Sequence, residues 1–387
     1  MFPSIPPFYR SCLLVLMSSA LFTACNSSDS TSSSSDLDTG AVALLITDAP
    51  TSAYDEINVE AEQVSLVGEG QGREAHLMKH SAKFNLLDLR NTFRRLSKCK
   101  APVGTYSKVR FKIKDVKLTK YRRDPDTNEI LKDKKSGEIL KDIVIPRLEK
   151  NQIDLNARTQ FAVDRLRQLV VKLDLDADAS LGTDPVTNEP VFNPDATVEV
   201  DSVPTDTDAP PQEVTPLLMN ELGDVRNLQT DSFDLCNTNP DGSVDCIQVN
   251  VSLDTVVMNQ ALAQVTTGVS GINETVQWQV IGHLDVTTDQ INALQVIEHS
   301  SQHRSYSGTL SGDYDAVNDQ FNLDVSGTVY PVKSVSMAGV YDSAGNVLDA
   351  DVNVLGAGVN VEVIGILLGF GPSATLTPGV IIMSDQQ

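Results

Sequence analysis

The segment SKVRFKIKDVKL, residues 107–118, decides the fold. Apolar and charged residues alternate along its first half, which is typical of a β-strand with one buried and one exposed face. At Asp115 the alternation changes register, because Val116 and Leu118 become the apolar positions. One extra residue near Lys114 would keep the apolar side chains on the same face. The pattern therefore predicts a long strand with a β-bulge at that point.

Short apolar segments on both sides of this strand extend the same pattern. They are residues 40–46, 57–66, 143–145, 152–155 and 169–175, and turn sequences such as Asp184–Asn188 separate them. Residues 84–96 are ambiguous, and one interpretation is a strand followed by a short helix carrying Phe93 and Leu96. The pattern as a whole predicts an all-β fold with a β-sandwich over residues 40–202.

Four short motifs follow one another in this region: Thr47-Asp48-Ala49-Pro50, Leu87-Asp88-Leu89, residues 102–110 (PVGTYSKVR), and Leu173-Asp174-Leu175-Asp176. Together and in this order they resemble the bacterial lipoprotein family catalogued as domain of unknown function 4382. The resemblance covers roughly residues 39–200. It implies a sandwich of prealbumin or immunoglobulin type, attached to the cell surface, and it brings no established activity or catalytic residue.

The N-terminal segment has Arg10 as its early positive charge, an apolar run over residues 13–21, and small residues before Cys25. The run is too short for a stable bilayer span. The segment resembles the lipobox of bacterial lipoproteins, which implies a signal peptide over residues 1–24 and a lipid such as palmitate on Cys25. Asn26, by resemblance to lipoprotein sorting in enteric bacteria, points to the outer membrane. A secreted soluble protein and a retained helix are the alternatives.

Polar segments divide the chain. Residues 25–39 are rich in serine and predict a flexible tether, and residues 203–214 are rich in Pro, Asp and Thr and predict an interdomain linker. Charge divides it as well: residues 1–172 hold 27 Lys and Arg against 21 Asp and Glu, whereas residues 173–387 hold 3 against 31. The acidic domain predicted over residues 215–387 should repel nucleic acid.

The cysteines fit an oxidising compartment. Cys236 and Cys246 flank the turn Asn239-Pro240-Asp241-Gly242, and counting outward from that turn places them opposite each other in a hairpin. This predicts a disulfide, with two unbonded cysteines as the alternative. Cys99 is left over as a buried residue or a free thiol.

An internal repeat is visible in the acidic half. Residues 276–282 (VQWQVIG) match residues 359–365 (VNVEVIG), and a Val-Ile pair follows each segment at a similar distance. This resembles repeated small β-barrel modules such as those of domain of unknown function 5666. A single β-sandwich with coincidentally similar strands is the alternative, so the half holds one or two sandwich or small-barrel modules.

One charged face is a candidate anion-binding surface. Lys108, Arg110, Lys112 and Lys114 lie on the same side of the predicted strand, where phosphates of lipopolysaccharide, anionic glycans or the acidic second half could meet them. A solvated strand face that protects a sheet edge is the alternative.

Metal-binding signals are weak. Asp174, Asp176 and Asp178 suggest a Ca²⁺ loop, but an EF-hand would need Gly and Glu where this chain has Ala179 and Pro185. The histidine pairs 76/80 and 299/303 have a spacing that suits metal binding only on a helix, and both lie in segments that read as strand or loop.

The sequence carries no familiar catalytic motif and implies no cofactor. We therefore expect a non-enzymatic binding or structural module, held to a lipid bilayer through an acylated Cys25. Its partner would be a glycan, lipopolysaccharide or protein. The alternatives are a Ca²⁺-stabilised adhesin-like protein and a hydrolase of unfamiliar type that uses scattered carboxylates.

Overall fold

The computed structural model is almost entirely β, as the sequence predicts. It describes residues 38–49, 54–68, 74–124, 130–136, 138–204, 217–300, 302–325, 327–348, 354–368 and 374–384. The predicted signal peptide, Cys25, nearly all of the tether and most of the linker lie outside these residues.

The described residues up to 204 form thirteen strands and two short helices. The strands are β1 (Thr39–Ala49), β2 (Glu56–Gly68), β3 (Glu74–His76), β4 (Ala82–Asn85), β5 (Arg94–Pro102), β6 (Gly104–Tyr121), β7 (Lys141–Val144), β8 (Arg147–Leu148), β9 (Gln152–Val163), β10 (Arg167–Asp176), β11 (Leu181–Thr183), β12 (Pro190–Phe192) and β13 (Asp195–Pro204). A 3₁₀-helix spans Leu86–Leu89, and α1 spans Ala177–Ser180.

These strands build a β-sandwich. One sheet has the order β13-β10-β1-β5, and the facing sheet has the order β3-β2-β6-β7, with β4 beside β2 and β9 beside β6. Leu44 on β1, Phe111 on β6 and Val171 on β10 are fully buried in one core between the two sheets. The strands β1 and β10 run parallel at the centre of the first sheet.

The β-bulge predicted near Lys114 is confirmed. Glu60 on β2 pairs with Asp115 on β6, and the next residue, Ala61, pairs with Ile113, so Lys114 is the extra residue. The apolar side chains before and after the bulge are all buried in the same core.

The predicted helix carrying Phe93 and Leu96 is wrong. The only turn of helix in that segment comes earlier, at Leu86–Leu89, where the Asn85 side chain accepts a hydrogen bond from the Leu87 amide. Three leucines of that turn enter the core, and the chain then extends, so that Leu96 lies in β5 beside β1.

The described residues 217–298 form a small barrel, here called the first barrel. Its strands are β14 (Leu217–Arg226), β15 (Ser232–Thr238), β16 (Val244–Met258), β17 (Gln264–Thr267), β18 (Gln277–Asp285) and β19 (Gln290–Glu298), with a 3₁₀-helix at Gly268–Gly271. β14 pairs with β15, β15 with β16, β16 with β19, β19 with β18, and β18 with β14, which closes the barrel.

The described residues 303–383 repeat this arrangement as the second barrel. Its strands are β20 (His303–Leu310), β21 (Gln320–Val325), β22 (Thr328–Lys333), β23 (Gly339–Tyr341), β24 (Val347–Leu348), β25 (Asn360–Leu368) and β26 (Thr375–Met383), with a 3₁₀-helix at Val335–Met337. The closing order is β20-β21-β22-β26-β25. The parallel pair that closes each barrel is β16 with β19 in the first and β22 with β26 in the second. This is the strand order of the OB-fold, a five-stranded Greek-key barrel.

The two repeated sequence segments occupy equivalent strands. Residues 276–282 run into β18 and residues 359–365 into β25, and the pairing register of each strand shifts at the terminal glycine. A Cβ atom on Gly282 or Gly365 would collide with a backbone oxygen of the neighbouring strand. The glycine that ends each segment is therefore required by the close approach of that strand.

The sandwich and both barrels are packed together. Leu45 and Val170 project from the outer face of the β1–β10 sheet into the core of the first barrel. A further apolar cluster joins the barrels, with Ile281 and Ile297 on one side and Ile364 on the other. All three units thus share buried apolar surface.

Candidate functional site

Three of the four sequence motifs meet at one end of the sandwich. Because β1 and β10 are parallel, Thr47 pairs with Asp174. The Thr47 hydroxyl donates to the carbonyl of Leu89 over 3.1 Å, and Asp48 forms a backbone bridge with Arg90. This end of the sandwich, together with the barrel residues that contact it, is here called the junction, and it is the candidate functional site.

Asp48 is a buried carboxyl group at the junction, with a relative exposure of 4%. Its Oδ1 accepts a hydrogen bond of 3.1 Å from the Ala177 amide, whereas its Oδ2 has no partner among the described residues. Burial raises the pKa of Asp48 to about 8, although the Ala177 hydrogen bond and the charge of Arg90 act in the opposite direction. Asp48 thus retains its proton well above the pH at which an exposed carboxyl group loses it.

Glu362 on β25 is the matching carboxyl group of the second barrel and is fully buried. The Ser305 hydroxyl donates to its Oε1, and Asn91 Nδ2 donates to its Oε2 over 3.4 Å. Next to this contact, Arg90 Nη1 donates to the Ser307 hydroxyl over 3.2 Å. Burial raises the pKa of Glu362 to about 8. A loop of the sandwich is therefore tied to the second barrel through buried and partly buried polar groups.

Asp88 differs from these two carboxyl groups because it is exposed to solvent. Desolvation by the surrounding protein nevertheless raises its pKa, against a 3.1 Å hydrogen bond from Asn85 and the charges of Arg304 and Arg94. The backbone carbonyl of Asp88 accepts a hydrogen bond from Asn220 Nδ2 of the first barrel over 2.9 Å. The sandwich and both barrels therefore contribute to the surroundings of Asp88.

Arg304 of the second barrel docks on the sandwich. Its Nη2 donates to the Tyr121 hydroxyl over 3.0 Å, and its guanidinium lies 5.3 Å from the centre of the tyrosine ring. The Tyr121 hydroxyl in turn donates to Glu56. Burial and this neighbour raise the pKa of Tyr121. The contact combines a hydrogen bond with a cation–π interaction.

The first barrel meets the sandwich through Arg95 on β5, whose side chain is 6% exposed. Its Nη1 pairs with Asp289 over 2.5 Å, and its Nη2 donates to the Cys246 carbonyl over 2.8 Å and reaches Asp245 over 3.3 Å. The Arg95 backbone amide donates to Glu221 over 2.6 Å. Strand β5 therefore brings the basic half of the chain onto the acidic half.

The predicted cysteine register is confirmed. Cys236 pairs with Cys246 across β15 and β16, with a Cα–Cα distance of 4.0 Å and an Sγ–Sγ distance of 2.11 Å. The hairpin that this disulfide closes carries Asp241, which pairs with His80 of the sandwich. Cys99 is buried in the sandwich core.

The four cations proposed as an anion-binding face lie on β6, and the structure places carboxylates of the sandwich beside three of them. The pairs are Arg110 with Asp154 (2.8 Å) and Glu74 (3.1 Å), Lys112 with Glu62 (3.0 Å), and Lys114 with Glu60 (2.7 Å). The acidic half is contacted by Arg95 on β5 and not by these three cations. An anion at this face would compete with those carboxylates, and Lys108 is the remaining member of the four.

The weak Ca²⁺ candidate is not assembled as a site. Asp176 Oδ1 accepts from the Ala179 amide over 2.8 Å and so caps α1, while Asp174 stays on β10 and Asp178 lies within the helix. Across the part of the chain that the structure describes, no group of three or more His, Cys, Asp or Glu side chains is placed to hold a metal ion.

The histidine pairs have other contacts. His76 lies 2.9 Å from the Ser65 hydroxyl, and His80 pairs with Asp241. The rings of His299 and His303 meet edge to face with centres 6.2 Å apart.

None of the helices among the described residues is long and apolar enough to cross a membrane.

Sequence reasoning missed the residues that form the junction. Two signals pointed to them: the opposite charge of the two halves, and Glu362 as a single acidic residue inside the apolar run Val361–Ile366. A charged residue in a run of strand-forming apolar residues predicts a buried polar contact when both faces of the strand are covered.

Comparison with known proteins relates the sandwich to a described family. Neither the curated proteins nor the solved structures include a match to the chain. A family model does match residues 39–193, which hold twelve strands of the sandwich and all four motif segments. By this match the N-terminal sandwich is similar to the family described as Domain of unknown function (DUF4382), as its motifs predict.

Proposed function

We propose that this protein is an outer-membrane lipoprotein that acts without catalysis, as a binding or structural module built from three docked β units. The observation that carries the proposal is the Arg95 contact, in which a buried guanidinium on the sandwich is held by two carboxylates and a carbonyl of the first barrel. Removing either side would leave a buried charge without a partner, which disfavours separation of the units. A sandwich and barrels held together in this way can present a surface of fixed shape to a binding partner.

The anchor in this proposal is the lipid on Cys25, joined to the sandwich by the serine-rich tether. The acidic barrels would be repelled by anionic lipid head groups. The tether gives the folded part room to stand away from the bilayer surface. Partners in the proposal are a glycan, lipopolysaccharide or a protein, met in the periplasm or at the cell surface.

The two barrels extend the proposal to the acidic half. Their shared strand order and their matching Val-Ile-Gly segments support a relation to repeated small-barrel modules such as domain of unknown function 5666. OB-type barrels bind oligonucleotides or oligosaccharides on other proteins. Here the acidic charge favours a neutral glycan over a nucleic acid.

Metabolic labelling with an alkyne fatty acid tests the anchor. The full chain should take up the label and remain with the membrane fraction, whereas a Cys25→Ala variant should lose both properties. A Cys99→Ala variant is the matched control and should behave as the unchanged chain. Label retained on the Cys25→Ala variant would contradict the proposal.

A screen of the full chain against glycans, lipopolysaccharide and envelope proteins tests the binding role. Saturable binding to one of these classes is the expected result. Binding to none of them would leave only the structural role, and substrate turnover in the same screen would overturn the non-enzymatic assignment.

A further inference from the structure

Two tyrosines lie at the end of the second barrel that meets the sandwich, here called the open end. Tyr306 on β20 and Tyr330 on β22 have ring centres 6.3 Å apart and ring planes inclined by 55°. Tyr306 packs against the core of the barrel, and Tyr330 lies two residues before the fully buried Val332, on the same face of its strand. Both tyrosines are only half-buried. The open end therefore presents two aromatic rings that the barrel core does not cover completely.

The hydroxyl groups of these two tyrosines differ from three others in the chain. Those of Tyr106, Tyr121 and Tyr314 each donate a hydrogen bond. Those of Tyr306 and Tyr330 have no such partner among the described residues, and neither is completely buried, so solvent reaches both. Tyrosine hydroxyls in packed regions usually find a partner. The open end thus keeps two hydroxyls available to a ligand.

Charged side chains surround the Tyr306 hydroxyl. Arg304, which contacts Tyr121 of the sandwich, lies two residues before Tyr306 on the same side of β20. Arg123 of the sandwich pairs with Asp55 over 2.5 Å, and their side chains remain 33% and 19% exposed. Burial raises the pKa of Tyr306 to about 12, while the charges of Arg304 and Arg123 act to lower it and that of Asp55 acts to raise it. Groups from both units are therefore near enough to act on this hydroxyl.

The first barrel uses the equivalent position for docking instead. Glu221 on β14 pairs with Val280 of the first repeated segment. Tyr306 on β20 pairs with Val363, which holds the same place in the second repeated segment. Glu221 is 2% exposed and accepts a hydrogen bond from the Arg95 amide of the sandwich. The sandwich thus covers this position in the first barrel and leaves it half-open in the second.

The chemistry of the open end suits a neutral oligosaccharide. A sugar ring has a C–H face that packs on an aromatic ring and a rim of hydroxyls that donate and accept hydrogen bonds, and small-molecule sites combine aromatic walls with a few such polar groups. The two cations, Arg304 and Arg123, are balanced by the carboxylates of Asp55 and Glu56. Residues 303–384 as a whole hold 2 Lys and Arg against 8 Asp and Glu. This balance disfavours an anionic ligand.

We propose that Tyr306 and Tyr330 form the stacking platform of a neutral-oligosaccharide site between the second barrel and the sandwich. Sugar rings stack on the two tyrosines, and Arg304, Arg123 and Asp55 exchange hydrogen bonds with the sugar hydroxyls. The platform belongs to the barrel and two of the polar groups belong to the sandwich, so the site exists only while the two units are docked. This inference rests on the proposed glycan-binding role and assigns it a place.

Affinity electrophoresis of the full chain in a mild detergent tests the site. Native gels contain dextran, hydroxyethyl cellulose, xylan or galactomannan as neutral polysaccharides, and alginate as an anionic one. We expect at least one neutral polysaccharide to retard the chain and alginate to have no effect. Tyr330→Leu keeps an apolar side chain but removes the ring, and it should weaken the interaction about tenfold or more. Tyr330→Phe keeps the ring and should bind within about threefold of the unchanged chain.

Two further variants complete the test. Val317→Ala, at a 93% exposed position between β20 and β21, is the matched control and should bind as the unchanged chain does. Arg123→Gln changes the sandwich side of the site without altering the barrel, and it should weaken binding about threefold or more even if Tyr330→Leu fails to fold.

Three results would overturn the inference. Equal retardation of Tyr330→Leu, Arg123→Gln and the unchanged chain would place glycan binding elsewhere and leave the proposed role intact. Retardation by none of the neutral polysaccharides would remove the site, and the screen against lipopolysaccharide and envelope proteins would then decide the proposed role separately. Alginate binding that Tyr330→Leu abolishes would show that the ligand is anionic.

Discussion

Replacing Glu362 by glutamine should remove much of the pH dependence of this protein's stability. Glu362 is fully buried, and its pKa rises from 4.5 to about 8 because burial disfavours the charged form. Glutamine has nearly the same shape, and its oxygen can still accept from Ser305. Its amide nitrogen then faces Asn91, whose side chain keeps the contact by presenting its oxygen instead of its nitrogen. The substitution therefore replaces a titrating group by a neutral one in the same contact.

The direction in which stability changes with pH follows from proton binding. Between pH 4.5 and 8 the folded chain keeps a proton on Glu362 that the unfolded chain releases, so stability decreases as the pH rises through this window. One proton corresponds to about 1.4 kcal/mol for each pH unit. From pH 5 to pH 7 the contribution of Glu362 thus decreases by about 3 kcal/mol at most. The positive charge of Arg90 acts on both Glu362 and Asp48, and in each case it lowers the pKa against the larger effect of burial.

Urea unfolding of the full chain at pH 5, 6, 7 and 8 measures the effect. The unchanged chain should lose stability across this range faster than Glu362→Gln, by up to about 1.4 kcal/mol for each pH unit. Glu138→Gln, at an exposed position, is the control and should match the unchanged chain. Equal slopes for Glu362→Gln and the unchanged chain would refute the reasoning, since they would mean that Glu362 is already ionised in the folded protein.

Three further substitutions have clear expectations. Arg95→Ala should destabilise the chain by about 3–5 kcal/mol, seen by calorimetry as earlier melting of the first barrel, because Asp289 loses its buried partner. Arg122→Ala, which removes an exposed ion pair, is the control and should leave the melting temperature nearly unchanged. Replacing Cys236 and Cys246 by serine should lower the free energy of unfolding by about 3 kcal/mol on the chain-entropy model, and a reducing agent should then have no further effect. Gly282→Ala should cost about 1–3 kcal/mol because its Cβ meets a backbone oxygen, whereas Gly312→Ala, which meets nothing within 4 Å, should be nearly neutral in urea unfolding.

The elements that the sequence predicts well are those set by local patterns. The β-bulge at Lys114 follows from a change in the period-two alternation, and the Cys236–Cys246 pair follows from the turn between them. Both depend on no more than twelve consecutive residues. The error at Phe93 arises where local preference is weak and long-range pairing decides the conformation: Phe93 bridges to Met219 of the first barrel, and the residues after it pair with β1.

The junction depends on contacts between distant parts of the chain. Arg90 and Ser307 are 217 residues apart, and Asn91 and Glu362 are 271 apart. The opposite charge of the two halves predicts a boundary but does not say which basic strand would cross it. Lys108 to Lys114 looked the more basic, yet β2 and β9 already supply carboxylates to that strand. Arg95 makes the contact because the first barrel packs on the sheet that contains β5.

The position of β1 has a mechanical consequence. It is the first strand after the tether, and it is hydrogen-bonded on both sides, to β5 and to β10. With the chain anchored through Cys25 as proposed, tension on the folded part enters at Thr39 and acts along the strand. The ladder bonds to β5 lie nearly perpendicular to that direction, so they share the load instead of opening one after another. The sandwich should therefore resist pulling from its anchor more strongly than a domain that begins with an edge strand.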